Sequence, residues 1–444
     1  MLYSIHDKPP IGTSILIGFQ HFLAIFAGIL TAPLIIALGM GLSVEETSYL
    51  VSSSLVVSGF ATLVQINRIG PIGSGLLSIQ GTSFAFIGPL VFSYQTLVVN
   101  IPSGDALGMI FGSCAFCAMT MIIASQFIRY LRRFITTNVA GATIMLLGIS
   151  LVVSTLQNIQ REYHQAGEQG WLVLLLTGLV LASIIFFSRS NNVWLRISCL
   201  TLGLIIGFIV AFLFGTVDFS VLGKLDSFFV PVPWRYELAV DWPTVLVLMP
   251  IFLISATESI GDLTATNDLS GLPTGDETYW QRIQGGILGD AINSLIAAFV
   301  CTFPNTTFSQ NNGVIRITGV SSRFVGYFVA GFLVLFGFFP VVGGIFQAIP
   351  NAVIYGATLL MFSLVGFAGY SIVASNEPVR RDWIIVGVAM VLGYAVSLSV
   401  SAMTFLSAEW AMILSFPVST GAVFAVALEL LLPMYKPKGE AQMP

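Results

Sequence analysis

Long apolar stretches separated by short polar ones run the length of the chain. Most are close to or above the roughly 18 residues that a helix needs to cross a hydrocarbon core. The pattern predicts fourteen segments, at 15–38, 48–66, 78–94, 106–128, 138–156, 171–188, 196–216, 243–262, 284–302, 305–319, 324–346, 352–371, 382–403 and 410–433. A β-barrel would show short segments alternating with period two instead. The expected fold class is therefore an all-α membrane bundle. Two segments make poor ordinary helices. The third is crowded by Gly70-Pro71-Ile72-Gly73-Ser74-Gly75, and the tenth carries Pro304, Asn305, Gln310, Asn311, Asn312 and Gly313.

Composition agrees with the pattern. Of 444 residues, 56% are hydrophobic and 9% charged, against roughly 25% charged in a soluble domain. Met1 to Pro10 is short and polar. The apolar stretch after it is too long for a signal core and shows no small-residue cleavage site, so the first span is expected to remain. With both termini cytoplasmic, 14 of the 17 basic residues fall on the inner side, among them Arg129, Arg132, Arg133, Arg316, Lys436 and Lys438. Only Arg161, Lys224 and Arg235 fall outside. That is the asymmetry the positive-inside rule predicts, so the even span count and the orientation support each other; the expected location is a bacterial inner (plasma) membrane. Cys114 and Cys117 spell C-x-x-C, but inside an apolar span this reads as helix packing rather than zinc or redox chemistry. Three scattered histidines form no ligand cluster. No metal or cofactor is expected.

The halves echo each other. Gly141-Ala142-Thr143-Ile144-Met145-Leu146 returns as Gly356-Ala357-Thr358-Leu359-Leu360-Met361, 215 residues on, and Thr82-Ser83-Phe84 returns as Thr306-Thr307-Phe308, 224 on. The third span then corresponds to the tenth and the fifth to the twelfth. An offset of seven spans reverses direction through the membrane, so the expected layout is a 7+7 inverted repeat. Interrupted spans in matching places point to a transporter's substrate site, because a broken helix exposes backbone groups that lipid cannot satisfy. The competing reading is that these glycines and prolines only permit kinks or close packing.

Three acids sit in apolar surroundings: Glu258, Asp262 and Asp290. A charge there costs at least a few kcal/mol. Glu258 and Asp262, four apart, share one helix face, where protonating one relieves both repulsion and desolvation. His21, beside Gln20, adds a fourth titratable group. The alternatives are structural: neutral carboxyls bridging helices, and a packed histidine. Glu429, near the inner end of the last span, is expected to snorkel to the interface.

These residues also form a family pattern. Gln310-Asn311-Asn312-Gly313-Val314-Ile315-Arg316-Ile317-Thr318-Gly319 fits the signature of the nucleobase–ascorbate transporters, also called nucleobase:cation symporter-2. Gln20-His21, Gln80-Gly81-Thr82-Ser83-Phe84 and Ala256-Thr257-Glu258-Ser259-Ile260-Gly261-Asp262 match in order along essentially the whole chain. The chain thus resembles the bacterial xanthine and uric acid permeases of that family. The resemblance implies a homodimer with a core domain (1–130 and 241–348) and a gate domain (131–240 and 349–444), and short strands in the third and tenth spans. It implies proton-coupled import by an elevator motion. Glu258 and Gln310 would hydrogen-bond the base edge, backbone near Phe84 and Ser309 would complete the contacts, and the Phe84 ring would stack on the purine. Asp290 and His21, supported by Asp262, would couple the proton, and Asn311 would shape the site.

Uracil-type members carry Glu at the position of Gln310 and His at that of Asp262, so the resemblance points to the purine branch. Within it, xanthine is preferred over uric acid, although a small Ser83 beside the stacking ring leaves room for the larger base. An anion transporter of the related sulfate and bicarbonate family would share the inverted repeat, yet should present positive charge or clear helix dipoles at mid-membrane, not Glu258 and Asp262. A channel does not need titratable groups beside broken helices. An enzyme would need a nucleophile with its base, or a metal, and the sequence offers neither. The expected partners are a purine base, protons, lipid and a second copy, with no nucleic acid.

Overall fold

The computed structural model describes residues 2–127, 136–225, 227–374, 378–403, 405–406, 410–411 and 414–432. Arg129, Arg132, Arg133, Lys436 and Lys438, the expected domain boundary at 130–131 and the span ends at 128 and 433 lie outside the described residues. The chain is mostly helical: α1 Ile11–Met40, α2 Val44–Asn67, α3 Ile87–Leu97, α4 Ser103–Ser125, α5 Thr137–Gln165, α6 Gly170–Ser188, α7 Cys199–Leu213, α8 Trp242–Leu269, α9 Glu277–Phe299, α10 Gln310–Thr318, α11 Arg323–Gly337, α12 Pro340–Gln347, α13 Asn351–Ala374, α14 Arg380–Ser399 and α15 Pro417–Leu431. Two three-residue strands, β1 Gln80–Thr82 and β2 Asn305–Thr307, interrupt them.

Among the described residues, eight helices are long and apolar enough to cross a membrane: α1, α2, α4, α5, α6, α8, α13 and α14. α11 and α12 reach that length only as a pair bent by 75°. The helices after the two strands, α3 and α10, are short. Polar side chains set several starts. Ser43 and Glu46 form a capping box at α2, Asp241 accepts the Thr244 N–H at α8, and Asp276 accepts that of Tyr279 at α9. Each supplies a partner to an N–H that the helix itself leaves unpaired.

The chain divides into two compact units, Met1–Ile128 with Val152–Met361, and Arg129–Leu151 with Phe362–Pro444. In the first, β1 and β2 pair antiparallel, Gln80 opposite Thr307, Gly81 opposite Thr306 and Thr82 opposite Asn305. All six residues are buried. The backbone ladder continues on both sides, with Phe308 N–H donating to Ile79 O and Ser83 N–H to Pro304 O. This satisfies backbone groups where no water reaches them. At Gly81 a Cβ would lie 2.6 Å from the Phe308 ring and 2.8 Å from Ile29, so the strand passes only as glycine. The N-terminal residues run beside the segment after α10, where Leu2 N–H donates to Gly319 O at 2.7 Å and Ser321 N–H to Tyr3 O at 3.0 Å.

The second unit packs α14 against α15 and the first half of α5 around a small apolar core of Val139, Ala142, Val373, Val386, Ala389 and Ala425. One end of it holds a polar cluster. Arg381 pairs with Glu429 at 2.9 Å and also donates to the carbonyls of Glu429 and Leu432. Asn138 bridges Asp382 (2.8 Å) and Glu429 (3.0 Å). The Glu429 side chain, expected to reach for the interface, is 12% exposed and held by the guanidinium.

Candidate functional site

All nine residues singled out from the sequence fall in the first unit, around the strand pair. His21 lies mid-way along α1, and Ser83 and Phe84 follow β1. Glu258 and Asp262 are one turn apart on α8, Asp290 is on α9, and Ser309, Gln310 and Asn311 open α10 directly after β2.

Strand and helix side chains hold two of the acids. Thr307 Oγ1 donates to Asp262 Oδ2 at 3.1 Å. Ser259 Oγ donates to Asp290 Oδ2 at 2.5 Å and lies 3.1 Å from Thr306 Oγ1. The other Asp290 oxygen accepts from Gln65 Nε2 at 2.6 Å. Gln65 is itself fixed at both ends of its amide: Nε2 also donates to Gly286 O, and Oε1 accepts the Ser74 N–H. That last bond explains the glycine-rich run. Gly70, Gly73 and Gly75 all have positive φ, which turns the backbone back onto α2 and α9. Gly73 N–H then donates to Gly285 O, and Gly75 N–H to Gln65 O. A Cβ on Gly285 would lie 2.6 Å from Gly73 O.

His21 is fully buried, and its Nδ1 lies 2.7 Å from Asn311 Oδ1. An amide oxygen only accepts, so Nδ1 carries the proton in this pairing. Asn311 Nδ2 donates to Leu77 O, leaving both ends of that amide engaged within the protein. Asn312 reaches the other way, accepting from Thr266 Oγ1 at 2.6 Å and donating to Asp262 O at 3.2 Å. Ser83 is buried and caps the turn at Ala85, and the Phe84 ring stands 5.9 Å from that of Phe308, centre to centre.

Glu258, Gln310 and Ser309 differ from the rest. Glu258 and Gln310 are half-buried and Ser309 is exposed. Among the described residues, the side chains of these three make no hydrogen bond or ion pair within the protein. One carboxylate, one amide and one hydroxyl are thus left for an outside partner, next to the N-terminus of a short helix.

Sequence reasoning missed Gln65 and Ser259, which together hold Asp290. Gln65 carried one signal, as the one amide within the predicted span 48–66. Ser259 carried none, since a small hydroxyl in a helix is ordinary. Cys114 and Cys117 are buried free thiols. Among the described residues, no group of three or more His, Cys, Asp or Glu side chains is arranged to hold a metal.

Comparison with known proteins agrees. The sequence profile described as "Permease family" (Xan_ur_permease) matches residues 12–401. The chain is 37% identical to the xanthine permease XanP of Escherichia coli K12, over 98% of this chain and 95% of that one. It is 36% identical to XanQ of the same organism, over 98% and 94%. In three dimensions it resembles the transmembrane domain of the cyanobacterial bicarbonate transporter BicA, with a TM-score of 0.60 and 14% identity over 97% of this chain and 100% of that one. Murine Slc26a9, an anion transporter, gives 0.64 at 11% identity over 96% and 68%. At such identities the likeness concerns fold alone. The relatives by sequence are permeases, so the chain is a multi-pass membrane transport protein and not an enzyme. From the signature at Gln310–Gly319 to the match across residues 12–401, it belongs to the nucleobase–ascorbate transporter family of permeases.

Proposed function

We propose that this protein imports xanthine together with protons across the bacterial inner membrane. The observation that carries the reading is the division of labour among the polar groups: Asp262, Asp290, His21 and Asn311 are bonded internally, while Glu258 and Gln310 keep their polar ends free. Xanthine offers imide N–H donors and carbonyl acceptors along one planar edge. A carboxylate accepts from the first, and a primary amide serves both. Phe84, beside Phe308, supplies an aromatic face for the ring, and the backbone around Ser309 completes the contacts. Asp290 and His21, with Asp262, form the proton-coupling set, because neutral hydroxyl and amide donors accommodate a carboxyl group in either protonation state. The two sequence relatives named above are xanthine permeases, which supports this base over uric acid.

The same reading assigns fourteen spans in a 7+7 inverted repeat, both termini in the cytoplasm, a homodimer, and a core (1–130, 241–348) that moves against a gate (131–240, 349–444). The test is uptake of labelled xanthine into cells expressing the chain, with uric acid, hypoxanthine and uracil as competitors and an uncoupler as control. Uptake that collapses with the uncoupler and is not competed by uracil is expected. Transport of uracil or an inorganic anion in place of xanthine would overturn the assignment.

A further inference from the structure

Beside Asp290 lies a cavity of about 20 Å³ that neither Glu258 nor Gln310 lines. Its polar wall is made by Asp290, Ser255, Ser294 and Asn305, and the rest is apolar, Ala291 included. Every lining residue is less than a tenth exposed. Asn305 is the first residue of β2 and 3% exposed. Ser294 Oγ engages its backbone, accepting from Asn305 N at 3.1 Å and donating to Asn305 O at 3.2 Å. Its side-chain amide, by contrast, finds no partner in the protein at either Nδ2 or Oδ1. A buried amide with both ends unmatched is rare in native proteins.

Charge selects the ligand. An anion would face the Asp290 carboxylate. A cation would use Asn305 Oδ1 but meet the Nδ2 hydrogens. A neutral group that both donates and accepts suits the amide, and a space of this size takes one water. The Asp290 oxygens accept from Gln65 and Ser259, and the Gln80 amide also acts on the carboxylate; with about four acceptor sites on the two oxygens, one remains for a further donor.

We propose that the cavity is a binding site for an ordered water that joins the Asn305 amide to the Asp290 carboxylate, giving that acid hydration independent of the substrate side. Asn305 is then a positioning residue that acts through Asp290. The other titratable groups near Asp290 are Glu258 and Asp262 on α8; neither reaches the cavity. The inference rests on the proton-coupling reading above. Its consequence is specific: without the water, substrate still binds and exchanges, but net proton-driven accumulation suffers.

The experiment compares wild type with Asn305→Leu and, from another wall, Ala291→Val, in proteoliposomes loaded with a pH dye. Xanthine counterflow and proton-driven accumulation are measured on the same vesicles. Counterflow within about twofold of wild type, with accumulation and proton flux down about tenfold, is expected for loss of one hydrogen-bonded partner of a carboxylate. A high-resolution cryo-EM map should carry a density peak between Asn305 and Asp290 in wild type and none in Ala291→Val. Equal losses in both transport modes, unchanged coupling, or a cavity without density would each overturn the water site. Wild-type uptake that ignores the proton gradient would instead overturn the coupling reading itself, while the map would still report on the water.

Discussion

Asp290 in the first unit and Glu429 in the second are both carboxylates shielded from water, and the fold treats them in opposite ways. Glu429 is matched by a fixed cation, Arg381, at 2.9 Å, with Asn138 on its other oxygen. Asp290 has neutral donors, the Ser259 hydroxyl and the Gln65 and Gln80 amides, and among the described residues no basic side chain pairs with it, Glu258 or Asp262. A counter-charge holds an acid permanently ionised, and removing that charge leaves an uncompensated ion. Hydroxyls and amides serve either form, since a hydroxyl can turn from donor to acceptor. The first arrangement is suited to holding helices together. The second is what the proposed proton coupling requires of Asp290.

The contrast can be broken from either side. The largest effect is expected for Glu258→Gln, which removes the free acceptor offered to the base. Xanthine uptake should fall about 100-fold, the scale of a charged hydrogen bond worth roughly 1.5–3 kcal/mol, with the amount of folded protein unchanged. Uptake close to wild type would remove Glu258 from the site. Next is Arg381→Leu, which strands Glu429. A loss of about 2–3 kcal/mol is expected, reduced from the fully buried case because both side chains retain some exposure, and should show as a lower unfolding temperature in detergent. Arg381→Leu with Glu429→Leu should recover most of it, and xanthine affinity should not move in either variant.

Gly81→Ala probes the strand pair without touching a polar group. Its new methyl group meets Phe308 and Ile29, and overpacking of about 1–3 kcal/mol is expected. Uptake should fall with it, because β1 carries Ser83 and Phe84 into position. Normal uptake and stability together would show that the strands tolerate displacement. The smallest effect is expected for Asn138→Ala, which removes neutral bridges to Asp382 and Glu429 while the ion pair remains. About 1 kcal/mol is the scale, read from the same unfolding measurement.

Much of the site could be read from the chain because its cost is visible in one dimension. An acid within an apolar stretch, such as Glu258 or Asp290, contradicts its surroundings, and glycines and prolines at 70–75 and 304–313 interrupt a helical pattern. The supporting residues were hidden because they contradict nothing locally. Ser259 and Thr306 are common in membrane helices and strands. Gln65 gains its meaning only when the turn at Gly73 returns Ser74 to it, nine residues on. The pairing of Glu429 was hidden for the same reason: its partner Arg381 is 48 residues earlier, and nothing local announces it.

The amino-acid sequence by itself determined the solvent this protein lives in, the places where its helices break, and the family to which it belongs. These follow from hydrophobicity, backbone chemistry and a contiguous signature, which are properties of neighbouring residues. Only the tertiary structure decided which polar groups satisfy one another: that Thr307 reaches Asp262, that Asn311 holds His21, and that Glu258 and Gln310 are left unengaged. The physical reason is that hydrogen bonds act over about 3 Å. Whether a buried acid is a strut or a working group depends on what packing brings within that distance.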